Sequence, residues 1–212
     1  MSSEKQLDLV LKGGRVIDPA NDIDGIADVG IKDGKIAAVK ALIDRATAEH
    51  VVDVSEFIVT PGLIDIHVHV YGGYTGWLFP DQHSLPSGVT TVVDTGGSGW
   101  KDIDDFVDTI VKPATTRVFI LVNIVGAGMI GKPEQDVTEM VPQRCADAVL
   151  RYPEHCIGTN AAHFGGPGWE SAGGAIEAAR LSDSVLMIDL APRPAPPSPP
   201  PPLRPPRSPP PP

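Results

Sequence analysis

The sequence predicts an α/β chain in three parts: a small all-β unit, a run of strands alternating with helices, and an extended proline-rich end. Three observations carry this. Residues 1–59 hold short strand-like runs broken by turn signals. From Pro61 to about Leu190, apolar runs of strand length alternate with stretches of helical periodicity. From Ala191 to Pro212 more than half the residues are proline, which locks φ and removes backbone donors. The boundaries fall at 1–59, 60–190 and 191–212.

In the first part Leu7 to Leu11 alternates, Gly13-Gly14 turns, and Arg15-Val16-Ile17 follows. Ala27 to Ile31 and Lys35 to Val39 flank Asp33-Gly34, a two-residue hairpin signal. Val51 to Val54 and Phe57-Ile58-Val59 continue the pattern. In the second part the expected strands are Leu63 to Val70, Thr90 to Thr95, Val118 to Ile124, Cys156 to Ala161 and Val185 to Leu190. The expected helices are Asp102 to Lys112, Val141 to Tyr152 and Ala172 to Leu181. Strands alternating with helices imply βαβ units and a parallel sheet, and Val/Ile-rich strands suit a sheet covered on both faces. The third part cannot pack a core and is expected to be disordered, extended polyproline-like chain. Its composition looks like that of a GC-rich reading frame entered by mistake. It also offers Pro199 to Arg204 as a Pro-x-x-Pro-x-Arg ligand for proline-recognising modules.

The 212 residues carry 17 Lys and Arg against 27 Asp and Glu, a formal charge of −10. That balance argues against nucleic acid or an anionic membrane surface as partner. The polar start, Met1 to Gln6, has no secretory pattern, and runs such as Val118 to Val122 are too short to span a bilayer. Cys145 and Cys156 lack paired-ligand spacing and read as small buried hydrophobes in a reduced, cytoplasmic setting.

The sharpest chemical signal is Thr60-Pro61-Gly62-Leu63-Ile64-Asp65-Ile66-His67-Val68-His69. On a strand, residues two apart face the same way, so Asp65, His67 and His69 share a face. Two imidazoles so placed can hold one divalent cation, with Zn the first expectation. Asp65 lies deeper and suits orienting a ligand rather than binding metal. A bare His-x-His pair also fits a packed core; the preceding Pro-Gly-Leu-Ile-Asp and the upstream β unit point to metal. Asp94 ends the second strand, Asn123 lies near the end of the third, and His163 opens a glycine-rich loop after the fourth. Strand-end geometry makes all three candidates for substrate contact, with structural hydrogen bonding as the alternative.

These strings resemble the amidohydrolase superfamily, in which a β-sandwich precedes a (β/α)8 barrel and Pro-Gly-Leu-Ile-Asp-x-His-x-His closes the first barrel strand. Tyr71 to Gly76, Pro80-Asp81, Gly88 to Asp94 and Ala162 to Trp169 are similar to its amidohydrolase/deacetylase branch, near the dihydroorotases. The resemblance implies a partial TIM-type (β/α)8 barrel of about five strands behind a small β-sandwich unit. It implies one or two divalent metals, and metal-activated water that hydrolyses a small amide, cyclic amide or ester. In binuclear relatives a fourth-strand lysine is carbamylated and bridges the metals, and histidines on the fifth and sixth strands hold the second. Asn160 stands where that lysine is expected, and an amide oxygen cannot replace a bridging anion. A full barrel needs about 250 residues, so three strands and their ligands are not represented. The chain is therefore expected to be truncated and impaired as a hydrolase, with open sheet edges that favour self-association. The alternatives are a non-catalytic fragment with a weak residual metal site, and an interaction protein displaying the proline tail.

Overall fold

The structure, a computed structural model, describes residues 6–72 and 77–189. The expected proline-rich tail lies outside the described residues. Two compact units emerge: residues up to 66 with 79–92 and 115–117, and residues 67–78, 93–114 and 118 onward.

The first unit carries a five-stranded sheet of β1 (Leu7–Asp18), β2 (Ile23–Lys32), β3 (Lys35–Lys40), β4 (Ala48–Asp53) and β5 (Ile58–Val59). The order is β3-β2-β1-β4, with β5 also on β1. The β2–β3 hairpin turns at Asp33-Gly34, both with positive φ (50° and 70°), as a twist-matched two-residue turn requires. Val10, Ile43 and Ala48 form its core, with Leu7, Ala38 and Val51 packed against them. Beside this core lies a buried polar knot. Asp28 accepts from the Gly13 amide (2.9 Å), the Ile43 amide (2.7 Å) and the Lys12 ammonium, whose Nζ also reaches the Ile43 carbonyl (2.8 Å). Burial resists ionisation of Asp28, but the Lys12 ammonium and the two amides prevail and hold its pKa below the usual carboxylate value. These bonds fix the register shift that β1 makes between Leu11 and Gly14.

The second sheet is the expected partial β/α barrel. Its strands are β6 (Leu63–Val68), β7 (Val89–Gly99), β8 (Arg117–Asn123), β9 (Cys156–Ala162) and β10 (Val185–Asp189), ordered β10-β9-β8-β7-β6. The pairings of β8 with β9 and of β9 with β10 are parallel. Three helices intervene: α1 (Ile103–Phe106), continued by a wider turn over Val107–Val111, α2 (Pro142–Arg151) and α3 (Glu170–Ser182). Pro142 opens α2, where a missing N–H costs nothing, and Cys145, Ala146, Ala148 and Val149 form its buried stripe. Ile103, Phe106, Ile120, Val122, Ile124 and Ala175 are fully buried in this unit. Both cysteines are free and buried, and burial pushes each thiol up to about 12. β7 runs further than expected because the glycine-rich Thr95 to Gly99 stays in the sheet and buried, with Gly96 at positive φ (83°). Among the described residues no helix is long and apolar enough to cross a membrane.

Candidate metal centre

The candidate site lies within the second unit, at the C-terminal ends of its strands. β6 delivers His67, and His69 follows just past its last residue. The two rings stand 5.6 Å apart and nearly perpendicular (87°). The Leu78 amide donates to the His69 carbonyl (3.0 Å), and the Trp77 ring lies 5.7 Å from the His69 ring. The Nδ1 atom of His69 is buried without a hydrogen-bond partner. Burial first, then the neighbouring His67 and His163, lower the pKa of His69 against the pull of Asp189, favouring the neutral imidazole that a metal requires.

Asp189 closes β10, at the other end of the strand order from β6. Adjacent strands are about 4.8 Å apart, so four steps across a flat sheet would be about 19 Å. Yet Asp189 Oδ2 lies 3.5 Å from His67 Nε2. The strand ends therefore curl toward one another, as they do in a barrel.

The same Asp189 Oδ2 stands 3.6 Å from His163 Nε2. His163 adopts a left-handed backbone (φ 55°), uncommon for a residue with a side chain. Two neighbours from the loop after β8 hold it there. Gln135 Nε2 donates to the His163 carbonyl (2.9 Å), and Glu134 Oε2 lies 3.2 Å from His163 Nδ1. Glu134 is itself buried and accepts from the Gly131 amide through Oε1 (2.6 Å).

Asn123 ends β8 as expected, whereas Asp94, expected to end its strand, lies inside the longer β7; both are fully buried, and their polar atoms engage the backbone. Asp94 Oδ2 accepts from the Val70 (2.7 Å) and Tyr71 (3.3 Å) amides, and Oδ1 from the Gly97 amide (2.6 Å). Burial pushes its pKa up to about 6 despite those three donors. Asn123 Nδ2 donates to the Gly96 carbonyl (3.2 Å) and Oδ1 accepts from the Val125 amide (2.9 Å). Asn160 is buried on β9. Its Nδ2 makes one long bond to the Met187 carbonyl (3.4 Å), while Oδ1 has no partner. A Cβ on Gly96 (φ 83°) would meet that oxygen at 2.3 Å, so only glycine lets β7 pass this close.

The strand-to-strand reading brought His67, His69 and His163 forward; it missed Asp189 and Glu134. Asp189 had a usable signal, an acid at the end of a barrel strand. Glu134 had none, because only the folded loop brings it to His163. In kind the donors fit a divalent ion: imidazoles, a carboxylate and an orphaned buried ring nitrogen. Among the described residues, however, no three His, Cys, Asp or Glu side chains stand close enough together to form a ready coordination shell.

Imidazoles and an acid gathered at the C-terminal ends of barrel strands stand where β/α barrels carry their active sites. Comparison with known proteins narrows the class. A deacetylase of Enterococcus faecalis is 31% identical over 156 residues, 73% of this chain and 41% of that relative. A dihydroorotase of Anaeromyxobacter is 47% identical over 62 residues, 29% of this chain and 14% of the relative. The solved structure of an adenine deaminase matches with a TM-score of 0.73 and 27% identity, over 89% of this chain and 51% of that one. No family model matches the chain. The chain belongs to the amidohydrolase superfamily, and it spans less than half the length of these curated relatives.

Proposed function

We propose that this chain is part of a metal-dependent hydrolase whose ion, Zn in the simplest case, is held by His67 and His69. The reaction is hydrolysis of a small amide, cyclic amide or ester. The observation that carries this reading is the His67–His69 pair at the end of β6, with the buried His69 Nδ1 left unpaired. The ion, when bound, supplies water acidified toward a pKa of about 7 and polarises the carbonyl. His67 and His69 hold it at the strand ends. His163 sits on the same side for contact with substrate, while Asp94 and Asn123 brace the loops around it. The test is to load the protein with Zn, Mn or Co and assay N-acyl amino acids, dihydroorotate and hydantoins. Metal-dependent turnover that His67→Ala abolishes supports the reading. A protein that takes up no metal overturns it.

Asn160 favours a second reading, a site that binds metal without turnover. Its neutral oxygen cannot provide the bridging anion of a binuclear centre. Metal uptake with no hydrolysis of any of these substrates selects this reading.

Self-association belongs to the same proposal. Leu63, Ile64 and Ile66 on the last strand of the sheet are each more than half exposed. An edge strand with apolar side chains offers itself to another chain. Light scattering on the purified protein is expected to show oligomers, reduced in an Ile64→Lys/Ile66→Lys variant; a monomer at all concentrations removes self-association from the proposal.

A further inference from the structure

Glu134 and Gln135 sit together in the tight turn Lys132–Gln135 after β8, and their side chains converge on His163. Glu134 is pinned first. Its amide donates to the Gly131 carbonyl (2.9 Å), and its Oε1 accepts from the Gly131 amide (2.6 Å). Its Oε2 is left to face His163 Nδ1 at 3.2 Å. Gln135 then clasps the glycine-rich loop. Its Nε2 donates to the His163 carbonyl (2.9 Å), and its Oε1 accepts from the Gly165 amide (2.8 Å). These bonds hold His163 at a φ of 55°, a conformation that costs free energy for a residue with a side chain.

We infer, within the hydrolase reading given above, that His163 carries the proton of the hydrolytic step and that Glu134 is the residue that positions it. An ionised carboxylate only accepts, so Glu134 fixes the ring proton on Nδ1 and leaves the lone pair on Nε2. Burial divides the pair by role. The Glu134 side chain is 6% exposed and that of His163 is 42% exposed. Substrate can reach the imidazole edge but not the carboxylate behind it. On the open side, Nε2 faces Asp189 Oδ2 at 3.6 Å, too far for a direct hydrogen bond. Two acceptors that do not satisfy each other can share one N–H or O–H group standing over both. Amide hydrolysis presents such a group twice, on the attacking water and on the departing nitrogen.

The step balances with no further reagent. The oxygen of water bonds to the carbonyl carbon, and the C–N bond of an amide, or the C–O bond of an ester, breaks. The proton that the water gives up passes to His163 Nε2. The same nitrogen returns it to the departing nitrogen or oxygen, and the ring ends as it began. Glu134 keeps the ring direction through both transfers.

Shaping the loop does not require the carboxylate. Gln135 already holds the backbone at His163 and Gly165, whereas the Glu134 side chain meets that loop only at the ring. A base whose far nitrogen is held by a third group is the general arrangement of proton-transfer histidines.

Glu134→Gln tests this on the full chain. Because the Gly131 amide holds Oε1, glutamine keeps its oxygen there and turns its NH2 toward Nδ1. An NH2 group donates, so the ring proton should move to Nε2. Two-dimensional 15N NMR of the histidine side chains, at a pH where imidazoles are neutral, reads the tautomer, and His163→Ala identifies the signal by its loss. The expected result is a proton on Nδ1 in the unmutated protein and on Nε2 in Glu134→Gln. Turnover of N-acyl amino acids, dihydroorotate or hydantoins should fall with it, kcat by roughly 10²–10⁴-fold with KM nearly unchanged. Imidazole added to His163→Ala should restore part of the rate, which a merely structural side chain would not allow. Circular dichroism checks the fold of each variant, and the tautomer of the unmutated protein stays decisive should a variant fail to fold. A proton on Nε2 in the unmutated protein overturns the inference, as does an unchanged tautomer in Glu134→Gln. A tautomer that moves while kcat holds removes the proton role from His163 and leaves the hydrolase reading standing. No turnover by the unmutated, metal-loaded protein sinks the hydrolase reading and the proton role together.

Discussion

Two buried aspartates show how this chain treats charge differently in its two units. Asp28, in the first, gathers two backbone amides and an ammonium; Asp94, in the second, gathers three backbone amides and no formal cation. Both pay for leaving water. The pKa of Asp28 ends below the ordinary carboxylate value, and that of Asp94 rises to about 6. Neutral donors soften the cost of burying a carboxylate; here a cation is what reverses its sign. Asp28 is therefore a fixed ion pair that locks a strand register. Asp94 is a carboxylate poised near neutrality that gathers the backbone after the His67–His69 strand.

The largest effect should come from breaking the first arrangement. Asp28→Ala leaves the Lys12 ammonium and the Gly13 and Ile43 amides facing a cavity. Removing one partner of a buried pair costs about 3–5 kcal/mol. Urea unfolding is expected to show a loss of that size, with Lys12→Met/Asp28→Leu recovering much of it. A loss below about 1 kcal/mol would mean that water replaces the carboxylate and that the pair is not buried in solution.

Asp94→Ala comes next. It frees the Val70, Tyr71 and Gly97 amides, each costing about 1–3 kcal/mol if left without a partner, less where water enters. A loss of about 3 kcal/mol is expected, together with weaker metal binding, because Val70 and Tyr71 directly follow His69. Unchanged stability by thermal melting, with unchanged metal affinity, would show that the strand end holds itself.

How far the sequence revealed all this depends on whether the information is local. The barrel strands read correctly because each is an apolar run with its own boundaries, and α2 because Pro142 and its buried stripe mark it. His67 and His69 read as a pair because alternation on one strand sets their common face. Asn123 could be placed at its strand end and Asp94 could not, and spacing does not reveal that their polar atoms meet the Gly96, Gly97 and Val70 backbone. β7 ran on past Thr95 because neighbours that pack against Gly96 and Gly99 hold these glycines in the sheet where their local preference is for a turn. Asp189 meets His67 only because the sheet curls, and Glu134 meets His163 only because one loop folds onto another. Neither meeting has a signature shorter than the fold itself.

The smallest effect is the most direct test of the comparison. Asp94 has a folded pKa of about 6 against an unfolded value near 3.8. Between those values the folded protein holds a proton that the unfolded chain has released. Its contribution to stability is thus fully present below about pH 4 and lost as pH rises through about 6. Two pKa units correspond to between about 2 and 3 kcal/mol. Asp28, depressed in the folded state, works in the opposite direction: its contribution is present above about pH 4 and lost as pH falls further. Comparing the protein with its Asp94→Asn variant from pH 4 to 7.5 isolates the first effect, since Asp28 is common to both. Asparagine keeps an acceptor for Val70 and Tyr71 but turns an N–H toward the Gly97 amide, so the variant should be the less stable protein at pH 4. The stability advantage of the unmutated protein over the variant should then shrink as pH rises to about 7, read as the difference between two urea midpoints. A constant difference would mean that Asp94 ionises alike in both states. An advantage that grew with pH would mean that three backbone amides outweigh burial without help from a cation, and the contrast with Asp28 would be one of degree only.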